Sequence, residues 1–210
     1  MEVIERYARN LQGSYEPLRR ARVAICGCGG LGSNIATALA RIGVGYLKLI
    51  DFDAVEPSNL NRQNFFESHL GQDKPLALQE MLHNVNSEVQ VEVEVVKIVQ
   101  ENAPALLQDV DIICEAFDNP KSKAVLANIC RTDPVLSSKP YVGGSGMAGV
   151  LSGNTIRTRR LAKNFYICGD LEFSGADAGG LMAPRVLICA GHQANMITRL
   201  ILGKDEVDDE

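Results

Sequence analysis

The residues best equipped for chemistry sit in one early stretch of the chain. Gly27-Cys28-Gly29-Gly30-Leu31-Gly32 follow the apolar run Val23 to Cys26. Glycines in that pattern permit positive φ and let a backbone come close to a phosphate. Asp51 closes a second apolar run, Tyr46 to Ile50, about 20 residues after the glycines, where a carboxylate can accept bonds from ribose hydroxyls. Ser58-Asn59-Leu60-Asn61-Arg62-Gln63 then supplies hydroxyl, amide and guanidinium groups, and Lys74 adds a cation. That is more polar chemistry than a nicotinamide needs at this place, and it suits the triphosphate of ATP. Further on, Asp118-Asn119-Pro120 ends a third apolar run, Val110 to Phe117. Asp118 has two readings: N-cap of a helix over Lys121 to Arg131, or a hard-cation ligand that would hold Mg²⁺ beside a phosphate.

These groups need a frame that brings them together. Leu31, Ile35, Leu39 and Ile42 recur at helical spacing directly after the glycines, so the amides and dipole of that helix's first turn would face the glycine turn and favour an anion there. Leu76 to Leu82 reads as an amphipathic helix, and Val91, Val93 and Val95 alternate with Gln90, Glu92 and Glu94 as a half-exposed strand does. With a short helix over Pro104 to Gln108, strands and helices alternate through the first two thirds. Such alternation predicts an α/β fold, a Rossmann-like doubly wound sheet, mostly parallel, whose strand ends share one crevice. The C-terminal third differs in texture. Tyr141 to Val150 reads as a small-residue strand and turn, Asn154 to Arg160 as a polar strand, and Leu161 to Met182 as a glycine-rich irregular crossover loop. Pro184 then opens a long helix through Leu202. The sheet is expected to continue into antiparallel strands in this third.

Composition narrows the class. The 210 residues are 46% hydrophobic with a net charge of -5, which suits one domain with one core and weighs against nucleic acid as a main partner. No uninterrupted apolar run approaches the length of a membrane span, and Met1 to Asn10 is charged throughout, so no membrane association and a cytoplasmic location are expected. The six cysteines are scattered without a CxxC pair, and they read as reduced buried thiols, with no zinc site. His69, His83 and His192 share no ligand spacing and read as surface or packing residues.

Taken jointly, the segment from Arg6-Tyr7-Ala8-Arg9-Asn10 through SNLNRQ and DN to Leu181-Met182-Ala183-Pro184 resembles the ThiF/MoeB-type adenylyltransferases. Asn164 to Asp170 and the helix bearing Gly191-His192-Gln193-Ala194-Asn195-Met196 look most like the short ThiF-type branch of thiamine biosynthesis. The resemblance implies adenylation of the C-terminal glycine carboxylate of a ubiquitin-fold sulfur carrier ending in Gly-Gly, with ATP and Mg²⁺. It assigns Arg9, Arg62, Lys74 and Asp118 to catalysis. It assigns Gly27, Gly29, Gly30, Gly32, Asp51, Ser58, Asn59, Asn61, Arg62, Gln63, Lys74, Asp118 and Asn119 to the nucleotide, and Asp118 to Mg²⁺. It further implies a homodimer in which Arg9 reaches the partner's ATP. A helical segment 1–20, a nucleotide half 21–135 and a carrier half 140–203 with crossover loop 161–182 follow from it. This sequence shows neither the zinc CxxC pairs nor the rhodanese-like extension of larger members, so the resemblance carries over adenylation and not sulfur loading.

Three other readings stay open at this level. The carrier can be MoaD-like rather than ThiS-like. A NAD-dependent oxidoreductase would share the glycine turn, although no hydride-side residue stands out, and a non-catalytic binding module would share the fold.

Overall fold

Two short helices, α1 (Val3–Arg6) and α2 (Tyr15–Arg20), lead into strand β1 (Arg22–Cys26). The glycine turn starts α3 (Gly30–Ile42), then come β2 (Tyr46–Asp51), the polar loop and α4 (Lys74–Val85). β3 (Gln90–Val95), α5 (Ala103–Leu107), β4 (Ile112–Glu115) and α6 (Pro120–Thr132) follow. The chain continues through β5 (Tyr141–Gly144), β6 (Arg157–Ala162), β7 (Phe165–Gly169) and α7 (Ala183–Ile201). This is a computed structural model, and it describes residues 3–171 and 180–207.

The strands form one seven-stranded sheet in the order β3-β2-β1-β4-β5-β7-β6. Every pair is parallel except β6 with β7, which matches the expected mostly parallel sheet running into antiparallel pairing. From β1 the chain winds outward to β2 and β3 on one side, then returns to place β4 and β5 on the other. The carboxyl ends of β1 and β4 therefore splay apart at the topological switch point, where open α/β sheets bind ligands.

Alternation along β1 divides the interior between two faces. Val23 and Ile25 pack among Ile35, Leu39, Leu78, Val186 and Ile197, while Ala24 and Cys26 meet Leu107, Leu126, Ile129 and Cys130 on the reverse. Burial of each such Leu or Ile contributes on the order of 1.5–3 kcal/mol, which fixes the strand register. All six cysteines are buried and free, as their apolar settings foretold.

Two segments differ from the sequence expectation. Residues 161–182 are not irregular throughout: β6 runs to Ala162 and Phe165–Gly169 is β7, inserted between β5 and β6. Its glycine-rich neighbourhood masked a run whose alternate side chains, Tyr166 and Cys168, are fully buried. The remainder of the crossover loop, 172–179, lies outside the described residues. The polar strand expected from Asn154 begins at Arg157, because Ser152 accepts from the Asn154 amide and starts a 3-10 turn instead.

Candidate active site

A cleft of about 320 Å³ opens at the switch point, within the usual size range of small-molecule sites. Its floor is the glycine turn. Gly27 has φ +98, and a Cβ there would lie 2.8 Å from the Ala116 carbonyl oxygen. A Cβ on Gly32 would stand 1.8 Å from the Gly27 carbonyl oxygen, so these two positions hold β1, β4 and α3 at backbone contact. Gly32 acts there by packing and does not line the cleft, unlike Gly27, Gly29 and Gly30. Gly29 precedes the helix without any side chain capping its first amides, so they face the cleft as an anion site.

Asp51 is buried and holds this floor in place. One carboxylate oxygen accepts from the Cys28 amide at 2.6 Å, and the other accepts from the Phe52 and Asp53 amides. Two residues on, Asp53 binds Lys74 Nζ at 2.9 Å across the cleft, and the Lys74 amide donates to the Asp53 carbonyl. Lys74 is itself buried and starts α4, two residues before the helix expected from the apolar pattern. Arg62 is braced by the Ser58 carbonyl and the Asn61 side chain at 3.0 and 2.8 Å. Gln63 faces Gly29, and its buried Oε1 has no partner among the described residues.

Asp118 is not the helix cap. Asn119 takes that role, accepting from the amides of Lys121 and Ser122, and α6 starts at Pro120. Asp118 is left exposed at the cleft wall with its carboxylate uncommitted to the helix. Just behind it, Glu115 is buried with Lys123 Nζ at 2.8 Å, and it accepts from the Phe117 amide. Burial pushes the Glu115 carboxyl up and the Lys123 ammonium opposes that shift. Gln193 of α7 donates to the Glu115 carbonyl, so the far C-terminal helix braces the strand that presents Asp118.

The remaining assigned residues lie outside the cleft. Asn59 is buried and accepts from the Glu56 amide, shaping the turn that carries Arg62. Ser58 and Asn61 support Arg62 as described, and Asn61 also reaches the Leu181 carbonyl at 3.5 Å. Arg9 is exposed with no ion pair among the described residues. Sequence reading missed Phe52, Asp53, Lys97, Met147, Leu181 and Val186, all of which line the cleft. Asp53 was within reach, since it follows Asp51 by two in an extended stretch; the last three come from elements folded back from the C-terminal third.

A family model described as the ThiF family matches residues 7–209. The chain belongs to the ThiF family. Among curated relatives, adenylyltransferase and sulfurtransferase MOCS3 of Culex quinquefasciatus is 30% identical over 218 residues, covering 97% of this chain and 48% of that protein. The protein of the same name from Anopheles gambiae is 36% identical over 152 residues, 69% of this chain and 33% of that protein. The chain thus spans half or less of the length of these relatives. Of solved structures, E. coli tRNA N6-threonylcarbamoyladenosine dehydratase TcdA in complex with ATP superposes with a TM-score of 0.85 at 21% identity, covering 95% of both chains. E. coli MccB with AMPCPP and MccA gives 0.68 at 23% identity, covering 90% of this chain and 57% of the other. These structures share the ThiF fold seen here.

Within that fold Cys168 is placed for packing. It is fully buried on β7, where desolvation pushes its thiol up to about 12 and only the Thr158 hydroxyl, at 3.5 Å, pulls the other way. A thiol held there is neutral at physiological pH and is no nucleophile. Cys168→Ser is expected to leave any ATP–pyrophosphate exchange that the chain catalyses within about twofold of wild type, and metal analysis to find far less than one zinc per chain, because a single thiolate cannot build a tetrahedral site. Exchange abolished by the serine, or stoichiometric zinc, would refute this.

Proposed function

We propose that this chain uses ATP and Mg²⁺ to adenylate the C-terminal glycine carboxylate of a ubiquitin-fold sulfur carrier ending in Gly-Gly. A ThiS-like carrier of thiamine thiazole biosynthesis is the first choice, on the resemblance of residues 164–170 and 191–196. The supporting observation is one cleft that joins an uncapped helix N-terminus, the cations Arg62, Lys74 and Lys97, and a carboxylate, Asp118, that is not committed to the helix. ThiF membership and relatives named adenylyltransferase favour this reading over a NAD-dependent oxidoreductase.

The cleft fits a nucleoside triphosphate. The Gly27 to Gly30 backbone leaves no room for Cβ atoms at its closest points, the first amides of α3 lack a cap, and the buried Gln63 oxygen lacks a partner. Arg62 and Lys74 would neutralise phosphate charge, with Lys74 exchanging Asp53 for phosphate. Asp51 would face the ribose while keeping the turn in register. Asp118 would hold Mg²⁺, with Asp53 a second carboxylate of the cleft and Asp51 committed to backbone amides; hard cations take one or two carboxylates plus phosphate oxygens. When bound, the metal adds positive charge where pyrophosphate leaves.

A carrier carboxylate is ionised already, so no general base is required. Its oxygen forms a bond to the α-phosphorus as the bond to the β-phosphate oxygen breaks, which yields acyl-adenylate and pyrophosphate. The protein's part is to hold the two reactants in line and to stabilise the charge that develops. TcdA carries tRNA in its name, but a net charge of -5 is opposite to what a phosphate backbone attracts. The deciding experiment is pyrophosphate exchange into ATP. It is expected only when the carrier is present, and exchange that ignores the carrier would overturn the proposal.

Arg9 is proposed to act across a homodimer, completing the neighbour's ATP site as an arginine supplied in trans. Its exposed guanidinium, with no ion pair among the described residues, supports that role. Mixing inactive Arg9→Ala with inactive Asp118→Ala chains is expected to restore one working site per mixed dimer. Mixed dimers of verified composition that stay inactive would refute it.

A further inference from the structure

A second concavity, roomier than the cleft, lies away from it in a groove of about 790 Å³ between β6 and α7. β6 is the last strand of the sheet and, among the described residues, pairs with β7 alone, which leaves its outer edge without a strand partner there. On α7 the groove is lined by His192, Asn195, Met196 and Arg199, spaced to share one helix face. Arg160 of β6 and Arg199 of α7 bring positive charge to this groove of a chain whose net charge is -5; Arg157 and Arg159 also line it from β6, with Arg159 Nη1 donating to the Gly169 carbonyl.

The chain already lays an acidic peptide into this groove. Asp205 pairs with Arg160 at 3.2 Å, and its carbonyl accepts from Tyr166 Oη. Glu206 pairs with Arg199 at 3.7 Å, and its carbonyl accepts from the same guanidinium at 2.8 Å. Val207 lines the groove beside them. Recognition therefore uses side-chain charge and peptide carbonyls together. The hold is weak, because both ion pairs are largely exposed, with Asp205 and Glu206 side chains 63% and 73% accessible, and exposed pairs contribute little net stability.

We infer that this groove docks an acidic strand of the carrier protein, and that Asp205 and Glu206 are a displaceable internal occupant of the same surface. The inference rests on the adenylation reading for the identity of the partner. A protein strand is favoured over nucleic acid because the present occupant is a peptide held partly through its carbonyls, and because an open strand edge offers a ladder that only a polypeptide can match. The reach is also right. Val186 of α7 lines the cleft, and Asn195 lies about 14 Å further along that helix, a span that about four residues of extended chain cross. A carrier docked on the groove can thus thread a short C-terminal tail to the phosphates.

The test compares wild type with Arg160→Glu/Arg199→Glu and with Asp205→Asn/Glu206→Gln, all full chains, by calorimetric titration of a purified ubiquitin-fold carrier ending in Gly-Gly. The arginine reversal is expected to raise the carrier Kd about tenfold or more, and removal of the internal acids to lower it about threefold, with ATP affinity unchanged in both. Higher salt should weaken carrier binding to wild type and leave the reversed variant nearly insensitive. A synthetic peptide with the sequence of residues 203–210 should bind the Asp205→Asn/Glu206→Gln chain and lose that binding when the two arginines are also reversed. This peptide arm does not need the carrier: if the peptide binds as stated and the carrier does not bind wild type, the adenylation reading fails and the groove stands. Carrier affinity unchanged by the arginine reversal, or a tRNA that binds through these arginines when carrier and peptide do not, overturns the inference.

Discussion

Asp118→Ala is expected to lower carrier-dependent pyrophosphate exchange by about 100-fold or more, the scale for losing a principal electrostatic group in a closed site. The size of the effect follows from what Asp118 does not do. Asn119 caps α6, so alanine at 118 leaves the helix start intact. The side chain is exposed and takes part in no ion pair among the described residues, so the fold should not notice its loss. A drop in exchange without a drop in Tm would therefore report on chemistry. Asp118→Asn keeps the shape and removes the charge, and it should be nearly as inactive if metal binding is the role. Exchange within a few-fold of wild type in the alanine variant would remove Asp118 from the mechanism.

Arg185→Met should be the most destabilising of the simple substitutions. Arg185 Nη2 meets Asp170 at 2.5 Å with both side chains almost wholly buried, and its Nη1 donates to the carbonyls of Leu151 and Ser152. One guanidinium thus joins the end of β7, the start of α7 and the segment that follows β5. Removing one member of a buried pair takes away the ion partner of the other charge, which costs about 3–5 kcal/mol. That is a large part of the roughly 5–15 kcal/mol that holds a domain folded. Urea denaturation of Arg185→Met should show a midpoint far below wild type. The double variant Asp170→Leu with Arg185→Met removes both charges and should recover a substantial part of the loss, since apolar pairs of similar shape often replace buried ion pairs without penalty. A single variant within about 1 kcal/mol of wild type would show that the pair is not needed for stability.

The cleft and the pin meet at the same helix. Val186, next to Arg185, stands 3.1 Å from where a Cβ on Gly30 would be. The stability of the C-terminal third and the width of the phosphate cradle are therefore set by neighbouring residues, and variants of Arg185 should be read with both in mind.

What the sequence determined by itself was local. The glycine turn, the helix after it and Asp51 lie within one strand-helix-strand unit, and glycine conformations, helix starts and two-residue alternation are fixed by neighbours along the chain. The doubly wound class was legible for the same reason, as was burial of the six thiols in apolar runs. The sequence left Asp118 between capping and cation binding; the cap fell to Asn119 instead, whose extended backbone puts its side-chain oxygen within 2.9 Å of the Lys121 amide.

Only the tertiary structure decided the rest. Gln193 finds the Glu115 carbonyl 78 residues away, and Arg185 finds the carbonyls of Leu151 and Ser152 more than 30 residues away. No periodicity or spacing encodes such pairs. They arise because β5 and β7 add to the sheet beside β4, which brings α7 across the floor of the cleft. The basic groove has the same origin: Arg160 of a short strand and Arg199 of a helix come to face one acidic segment only when the sheet edge and α7 pack together. Short-range chemistry wrote the phosphate cradle into the chain, and long-range packing built the walls around it.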